Sequence, residues 1–221
     1  MTDGPEIFDD LYLGLQAGGA LRKQRRGEEL TEDCVVPFLR EAAGGATLAL
    51  ALLRRPLTLV QALARRDRDG LKELATGSLA GKDTAALDRL GAAFAGDFVT
   101  QRLRDDTTAR LRRHKELGHA VLLASASYEA YLVPLGAHLG VDGVVCTRLQ
   151  SDASGHLTGR LLGPNCRGPE KERRVREWLA EAGLEDAELW AYGDSPGDAE
   201  LLAAADHPVR VDGVIVEPNP G

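Results

Sequence analysis

The stretch WAYGDSPGDAELLAAA, Trp190 to Ala205, decides how the rest of this chain is read. Glu188 to Tyr192 (ELWAY) is a short apolar run with β-favouring aromatics, Gly193 to Gly197 carries turn-forming residues, and Asp198 opens an alanine- and leucine-rich helix. A strand, a loop and a helix therefore follow one another directly. Asp194 stands at the carboxyl end of the strand and Asp198 in the first helical turn, which directs both into the crevice where open α/β sheets place ligands. Two carboxylates there suit Mg2+, a hard cation that takes one or two carboxylates and completes its shell with water and substrate phosphate. Taken singly, Asp198 is also an ordinary N-cap and Asp194 an ordinary turn residue, so the decision between site and scaffold rests on the remaining chain.

Upstream of this stretch the pattern alternates. Ala120 to Leu123 (AVLL) reads as a buried strand, Tyr128 to Leu139 as a helix stopped by Gly140, and Val144 to Thr147 (VVCT) as another strand. Gln150 to Arg160 reads as a hairpin with Ser154-Gly155 at its turn, and Glu170 to Ala182 as an amphipathic helix stopped by Gly183. Such alternation predicts a largely parallel sheet with helices on both faces. Before Gly118 the texture is different. Thr31 or Asp33 can cap a helix carrying Val35, Val36, Phe38 and Leu39 that ends at Gly44-Gly45. Ala46 to Arg54, Leu57 to Arg66, Gly70 to Leu74, Thr84 to Phe98 and Thr107 to Lys115 are then alanine- and leucine-rich, broken by Pro56, Gly70, Gly77 and Gly81. With no strand run among them, the expectation is an α/β core of residues 1–44 and 105–221, a doubly wound parallel sheet, with a helical cap inserted at 45–104.

Composition narrows the function classes. A chain of 221 residues with 43% hydrophobic and 28% charged residues suits one domain with a sizeable insertion, or two small ones. A net charge of −7 argues against nonspecific nucleic-acid binding, although Arg22 to Arg26 (RKQRR) is a local basic run. The longest apolar run, Ala46 to Leu53, is far short of the ~20 residues a membrane helix needs. Cys34, Cys146 and Cys166 have neither close pairing nor metal-ligand spacing, which suits thiols in a reducing compartment. No signal-peptide pattern is visible, and the expectation is a cytoplasmic protein with a small-molecule partner and neither nucleic acid nor membrane.

Two more residues join the acids. Ser125 follows the strand AVLLA, in a small-residue stretch (SAS) whose backbone N–H groups, including that of Ala126, can approach an anion. Lys171 begins the helix after Gly168-Pro169, where a cation opposes the helix dipole unless an anion is near. Serine at one strand tip, lysine at a helix start and GDSPGD at the next strand tip form an ordered set. In this the chain resembles the haloacid dehalogenase superfamily, most closely its phosphoserine-phosphatase-like subgroup with a small helical cap. VLLASASYEAYLVPLGAHLGVD is similar to the second motif of that family, RGPEKERRVREWLAEAGL to its third and YGDSPGDAELLAAADHP to its fourth, and the helical insertion matches its cap. The resemblance runs from about Thr31 to the C-terminus. It implies that Ser125 and the Ala126 backbone bind phosphoryl oxygens, that Lys171 neutralises them, and that Asp194 and Asp198 hold Mg2+ directly or through water. The implied activity is a Mg2+-dependent phosphomonoester phosphatase of a small phosphorylated metabolite, and a group of this kind supplies the donors and countercharge that phosphoryl transfer needs.

The family's first motif is absent. In DxDxT one aspartate attacks phosphorus and the second handles the leaving-group proton, and this sequence contains no such spacing. Counting back from the helix in ELTEDCVVPFL places the nucleophile near Gln24 to Arg26, inside RKQRR, where Arg25 or Arg26 could contact phosphate. That segment is too polar for a strand buried between parallel neighbours. Asp9 and Asp10 in IFDDLY are adjacent and, on a strand, point to opposite faces. Three explanations stay open: an altered N-terminal segment, a degenerate site that binds phosphate without chemistry, or acids supplied by an unexpected register of Ile7 to Leu15.

Overall fold

Seven strands and nine helices are found in the computed structural model, which describes residues 10–13, 35–65, 67–101, 103 and 105–211. The strands are β1 (Asp10–Leu13), β2 (Val121–Tyr128), β3 (Gly143–Thr147), β4 (Leu149–Ser151), β5 (Leu157–Leu161), β6 (Leu189–Gly193) and β7 (His207–Arg210). The helices are α1 (Val35–Ala43), α2 (Gly45–Leu53), α3 (Pro56–Arg65), α4 (Arg68–Thr76), α5 (Thr84–Gln101), α6 (Asp105–Glu116), α7 (Glu129–Leu139), α8 (Pro169–Ala182) and α9 (Ala199–Ala204). Five strands make one parallel sheet in the order β3-β2-β1-β6-β7, and β4 and β5 form a separate antiparallel hairpin. The chain builds outward from β1 to β3 on one side and from β6 to β7 on the other. This is the doubly wound arrangement, and its switch point lies at β1.

Burial explains why β2 and β6 read so clearly. Val121 to Ala124 and Leu189 to Tyr192 are buried throughout, as strands covered on both faces must be. The period of two then divides them. Val121, Leu123, Trp190 and Tyr192 share a core with Phe38, Leu39, Tyr131 and Leu132, whereas Leu122, Ala124 and Ala191 pack with Val175 and Leu201 on the other face. Gly140 and Gly183 end α7 and α8 in the left-handed conformation, at φ 64° and 73°. Cys146 and Cys166 are buried thiols, and burial pushes Cys146 up to about 12, so it stays protonated. Cys34, Thr31 and Asp33 lie outside the described residues.

The central strand corrects the expectation for the N-terminal segment. It is Asp10–Leu13, parallel to both β2 and β6, rather than a segment near RKQRR. Gln24, Arg25 and Arg26 lie outside the described residues. The inserted helices share a buried core with the sheet. Leu48, Leu79, Leu87 and Ala95 belong to the same buried cluster as Leu123, Tyr128 and Tyr131. Phe38 meets Phe94 edge-on at 5.5 Å and Tyr131 at 4.7 Å between ring centroids. At Gly91 a Cβ would come within 1.9 Å of the Ala130 carbonyl oxygen, so α5 lies directly on the start of α7. The hairpin joins the inserted helices too, since the Gly81 amide donates to Leu157 and the Leu157 amide to Lys82, both at 2.8 Å. Among the described residues no single helix is long and apolar enough to cross a membrane.

Candidate active site

Strand register brings the second and fourth motifs to one edge. Leu13 of β1 pairs with Leu123 on one side and with Tyr192 on the other. Extending that register by two residues along β2 and β6 sets Ser125 and Asp194 level with each other across the line of β1. At ~4.8 Å between neighbouring strands, their backbones are about 10 Å apart, a gap that fits a phosphoryl group and its ligands. Asp10 is at the other end. It pairs with Leu189, and five strand residues at ~3.3 Å put its backbone roughly 16 Å from that of Asp194. In this register the Asp10 backbone lies at the opposite end of the strand from Asp194, while Asp9 lies outside the described residues.

Lys171 and Asp198 are brought together more tightly than their separation in sequence indicates. Both are buried, at 5% and 2% exposure, and the Lys171 ammonium donates to Asp198 Oδ1. Asp198 Oδ2 accepts from the Ser195 hydroxyl at 2.6 Å and the Ser195 amide at 3.1 Å, while the Gly197 amide donates to Ser195 Oγ at 3.2 Å. These bonds form a capping box over the 3-10 turn Pro196–Asp198 that leads into α9. Burial alone would raise the Asp198 carboxyl, but the Lys171 charge and the bonds from Lys171 and Ser195 outweigh it and hold the group below the ordinary carboxylate range. Gly193 is required by this packing, because a Cβ there would sit 2.6 Å from Asp198 Cβ. Asp198 is thus turned toward Lys171 and Ser195, and Ser195 is a site residue that the metal-ligand reading passes over. Its S-x-x-D spacing is the available signal.

Ser125 lies inside β2 rather than after it, in a part where the ladder to β3 shifts register between Ala124 and Tyr128. The Ser127 amide donates to Ser125 Oγ at 3.1 Å. The Ala126 carbonyl accepts from Thr147 Oγ1 at 2.9 Å and from the ammonium of Lys72, on α4 of the inserted helices. Lys72 also donates to Thr147 Oγ1 at 3.0 Å and to Asn165 Oδ1 at 2.7 Å, and its Nζ lies 4.6 Å from the centre of the Tyr128 ring. Burial pushes Lys72 down to about 7, opposed in part by Asp69. Lys72, Thr147 and Asn165 are the residues that sequence reasoning missed, because a lysine on an amphipathic helix reads as a solvent-facing charge.

The donor set sets limits on a metal. Among the described residues no group of three or more His, Cys, Asp or Glu side chains gathers to hold one. Both oxygens of Asp198 are engaged by Lys171 and Ser195, so Asp198 suits contact with a metal through water. Asp194, at the strand end, suits direct contact, and one carboxylate lies within what Mg2+ accepts when water and phosphate complete its shell.

A model of haloacid dehalogenase-like hydrolases matches residues 30–203, and the chain belongs to that family. The protein CicA of Caulobacter vibrioides is 34% identical over 181 residues, covering 81% of this chain and 80% of CicA. Phosphoserine phosphatase SerB2 of Mycobacterium tuberculosis is 26% identical over 181 residues, and this chain spans 40% of its length. Among solved structures, a protein of unknown function from Bordetella pertussis superposes with a TM-score of 0.70 at 24% identity, over 91% of this chain and 88% of that one. A probable phosphoserine phosphatase from Vibrio cholerae gives 0.60 at 18% identity, over 88% of this chain and 53% of that one. The shared fold is that of the phosphoserine-phosphatase-like members of the family.

Proposed function

We propose that this chain is a phosphomonoester phosphatase by lineage, which holds the phosphoryl group of a small phosphorylated metabolite between Ser125 of β2 and the end of β6. The observation that carries this reading is the register Leu123–Leu13–Tyr192, which, extended by two residues along β2 and β6, sets Ser125 and Asp194 at a common level. Ser125 Oγ and the Ala126 backbone are the donors to phosphoryl oxygens, and Lys171 supplies positive charge from the start of α8. Because Lys171 is paired with Asp198, its first task is to hold GDSPGD in shape, and its field reaches the phosphate as that of a pair. Asp194 would hold Mg2+ directly and Asp198 through water; the ion would supply countercharge for the phosphoryl oxygens. Residues 45–104 act as the cap over this edge. A cytoplasmic location, with neither nucleic acid nor membrane as partner, belongs to the same proposal.

A second reading is favoured by one sequence observation. In this family the nucleophile follows the first strand, yet no Asp or Glu occurs from Leu11 to Gly27, after the first residue of β1. A site that retains phosphate binding but lacks the attacking carboxylate would be a noncatalytic phosphate-ligand binder. Turnover of p-nitrophenyl phosphate with and without Mg2+, beside calorimetric binding of inorganic phosphate, separates the two. Weak or no turnover with measurable phosphate binding is expected. Robust Mg2+-dependent turnover abolished by Asp194→Asn would establish the phosphatase and reject the noncatalytic reading, and absence of both turnover and binding would reject both.

A further inference from the structure

The geometry points to Lys72 as a positioning residue for the phosphoryl site: its ammonium holds the Ala126–Ser127 peptide, and that peptide holds the Ser125 hydroxyl. The inference rests on the reading of Ser125 as a phosphoryl ligand and extends it to a residue on α4. A peptide unit is planar, so a donor that fixes its carbonyl also fixes its N–H. Here the carbonyl is that of Ala126, which accepts from Lys72, and the N–H is that of Ser127, which donates to Ser125 Oγ at 3.1 Å. With one lone pair of Oγ engaged in this way, the Ser125 hydroxyl hydrogen is directed away from Ser127 and can be donated to an anion.

The need for an outside donor follows from β2 itself. Its ladder to β3 shifts register between Ala124 and Tyr128, the segment that contains this peptide. Lys72 is held there from several sides. Thr147 Oγ1 and Asn165 Oδ1 accept from it, the single Thr147 hydroxyl hydrogen is shared between the Ala126 carbonyl and Asn165 Oδ1, 2.9 and 2.6 Å away, and the Asn165 amide returns to Asp69 of α4 at 2.7 Å. The three oxygens that Lys72 touches are uncharged, and the Asp69 carboxylate is joined to it through Asn165. In this arrangement α4, an inserted helix, completes the phosphoryl site only when it is seated against the end of β2.

The test uses two measurements on the full chain. Amide hydrogen exchange should show Ser127 protected in the wild type and at least tenfold less protected in Lys72→Met, with Lys72→Arg restoring most of the protection. Inorganic phosphate, titrated by calorimetry, should bind about tenfold more weakly to Lys72→Met than to the wild type. The double variant Lys72→Met/Ser125→Ala should bind no more weakly than Ser125→Ala alone, because both changes act through one hydroxyl. Thr147→Val, which removes the second donor to Ala126, should reproduce part of the loss and covers the case in which Lys72→Met does not fold. Unchanged Ser127 protection in the folded Lys72 variants, or additive losses in the double variant, would overturn the inference. If the wild type binds no phosphate, the functional reading of the site fails while Ser127 exchange still decides the role of Lys72.

Discussion

Two lysine-centred clusters flank the same sheet edge and solve opposite electrostatic problems. At the corner of α8 and β6, Lys171 meets a carboxylate at contact, and both members of the pair are almost fully buried. At the seam between α4 and β2, Lys72 meets a carbonyl, a hydroxyl and an amide oxygen, and is less deeply enclosed. The first arrangement is rigid because removing either charge leaves the other buried and uncompensated. The second is cheaper to open, since water can replace uncharged acceptors. The third and fourth motifs thus build a fixed wall, and the inserted helices add a component joined to it through uncharged acceptors.

The largest expected effect breaks the fixed wall. Lys171→Met strands the Asp198 carboxylate, and loss of one partner of a buried pair costs about 3–5 kcal/mol. For a chain of this size that corresponds to a fall in Tm of roughly 6–20 °C by differential scanning calorimetry. Lys72→Met should cost less, because the burial that lowers Lys72 to about 7 offsets part of what its three hydrogen bonds contribute. Equal losses in the two variants would erase the distinction between the clusters. Next in size is Gly193→Ala. Its Cβ would stand 2.6 Å from Asp198 Cβ, and overpacking of this kind costs about 1–3 kcal/mol. The loss should shrink in a Gly193→Ala/Asp198→Gly background, which removes the clashing Asp198 Cβ, if that contact is its cause.

pH sharpens the comparison further, because the two clusters titrate on opposite sides of neutrality. Asp198 is held below its ordinary value of 3.8, so its contribution is present above that pH and is lost as pH falls through its lower folded value. Lys72 is lowered from 10.5 to about 7, so the unfolded chain binds a proton there that the folded chain does not. Stability should therefore rise from pH 7 toward 10.5, and Lys72→Met should flatten that rise. A third group acts on the acid side. His114, fully buried with Nε2 2.9 Å from the Tyr192 hydroxyl, is lowered by burial from 6.5 to about 3 and destabilises the fold as pH falls below 6.5. Urea melts between pH 3 and 10.5 of the wild type, Lys72→Met, His114→Gln and Asp198→Asn read all three, and an alkaline limb unchanged in Lys72→Met would contradict the assignment.

Which of these features the sequence discloses depends on whether local pattern or tertiary arrangement creates them. The strand at Val121–Ala124 is an unbroken apolar run, and the hairpin announces itself through Ser154-Gly155, with Gly155 at φ 81°. β1 is hard to find because it has only four residues, begins with Asp10 and is followed by Gly14, so counting back from α1 leads to RKQRR instead. β7 escapes because His207-Pro208 reads as a break, yet an edge strand tolerates proline. Asp194, Ser125 and Lys171 stand out through order and spacing. Lys72, Thr147 and Asn165 lie far apart in sequence, and nothing local announces that α4 comes to rest on the end of β2.

The smallest expected effect lies on the same helix as Lys171, one turn or more from it and on the solvent side. Arg176 pairs with Glu172 four residues earlier, but its side chain is 65% exposed and that of Glu172 is 23% exposed. In water the attraction between such charges is largely offset by hydration and by the entropy of holding two long side chains in register, so exposed pairs of this spacing contribute about 0.3–0.5 kcal/mol. Arg176→Ala should shift Tm by no more than ~2 °C, and the shift should diminish further in 0.5 M NaCl, where screening falls within a few ångströms. Lys171→Met should keep its full loss in the same salt, because a buried pair is shielded from counterions by the protein around it. A salt-sensitive loss at Lys171, or a large salt-insensitive one at Arg176, would mean that burial is not what separates the two pairs on α8.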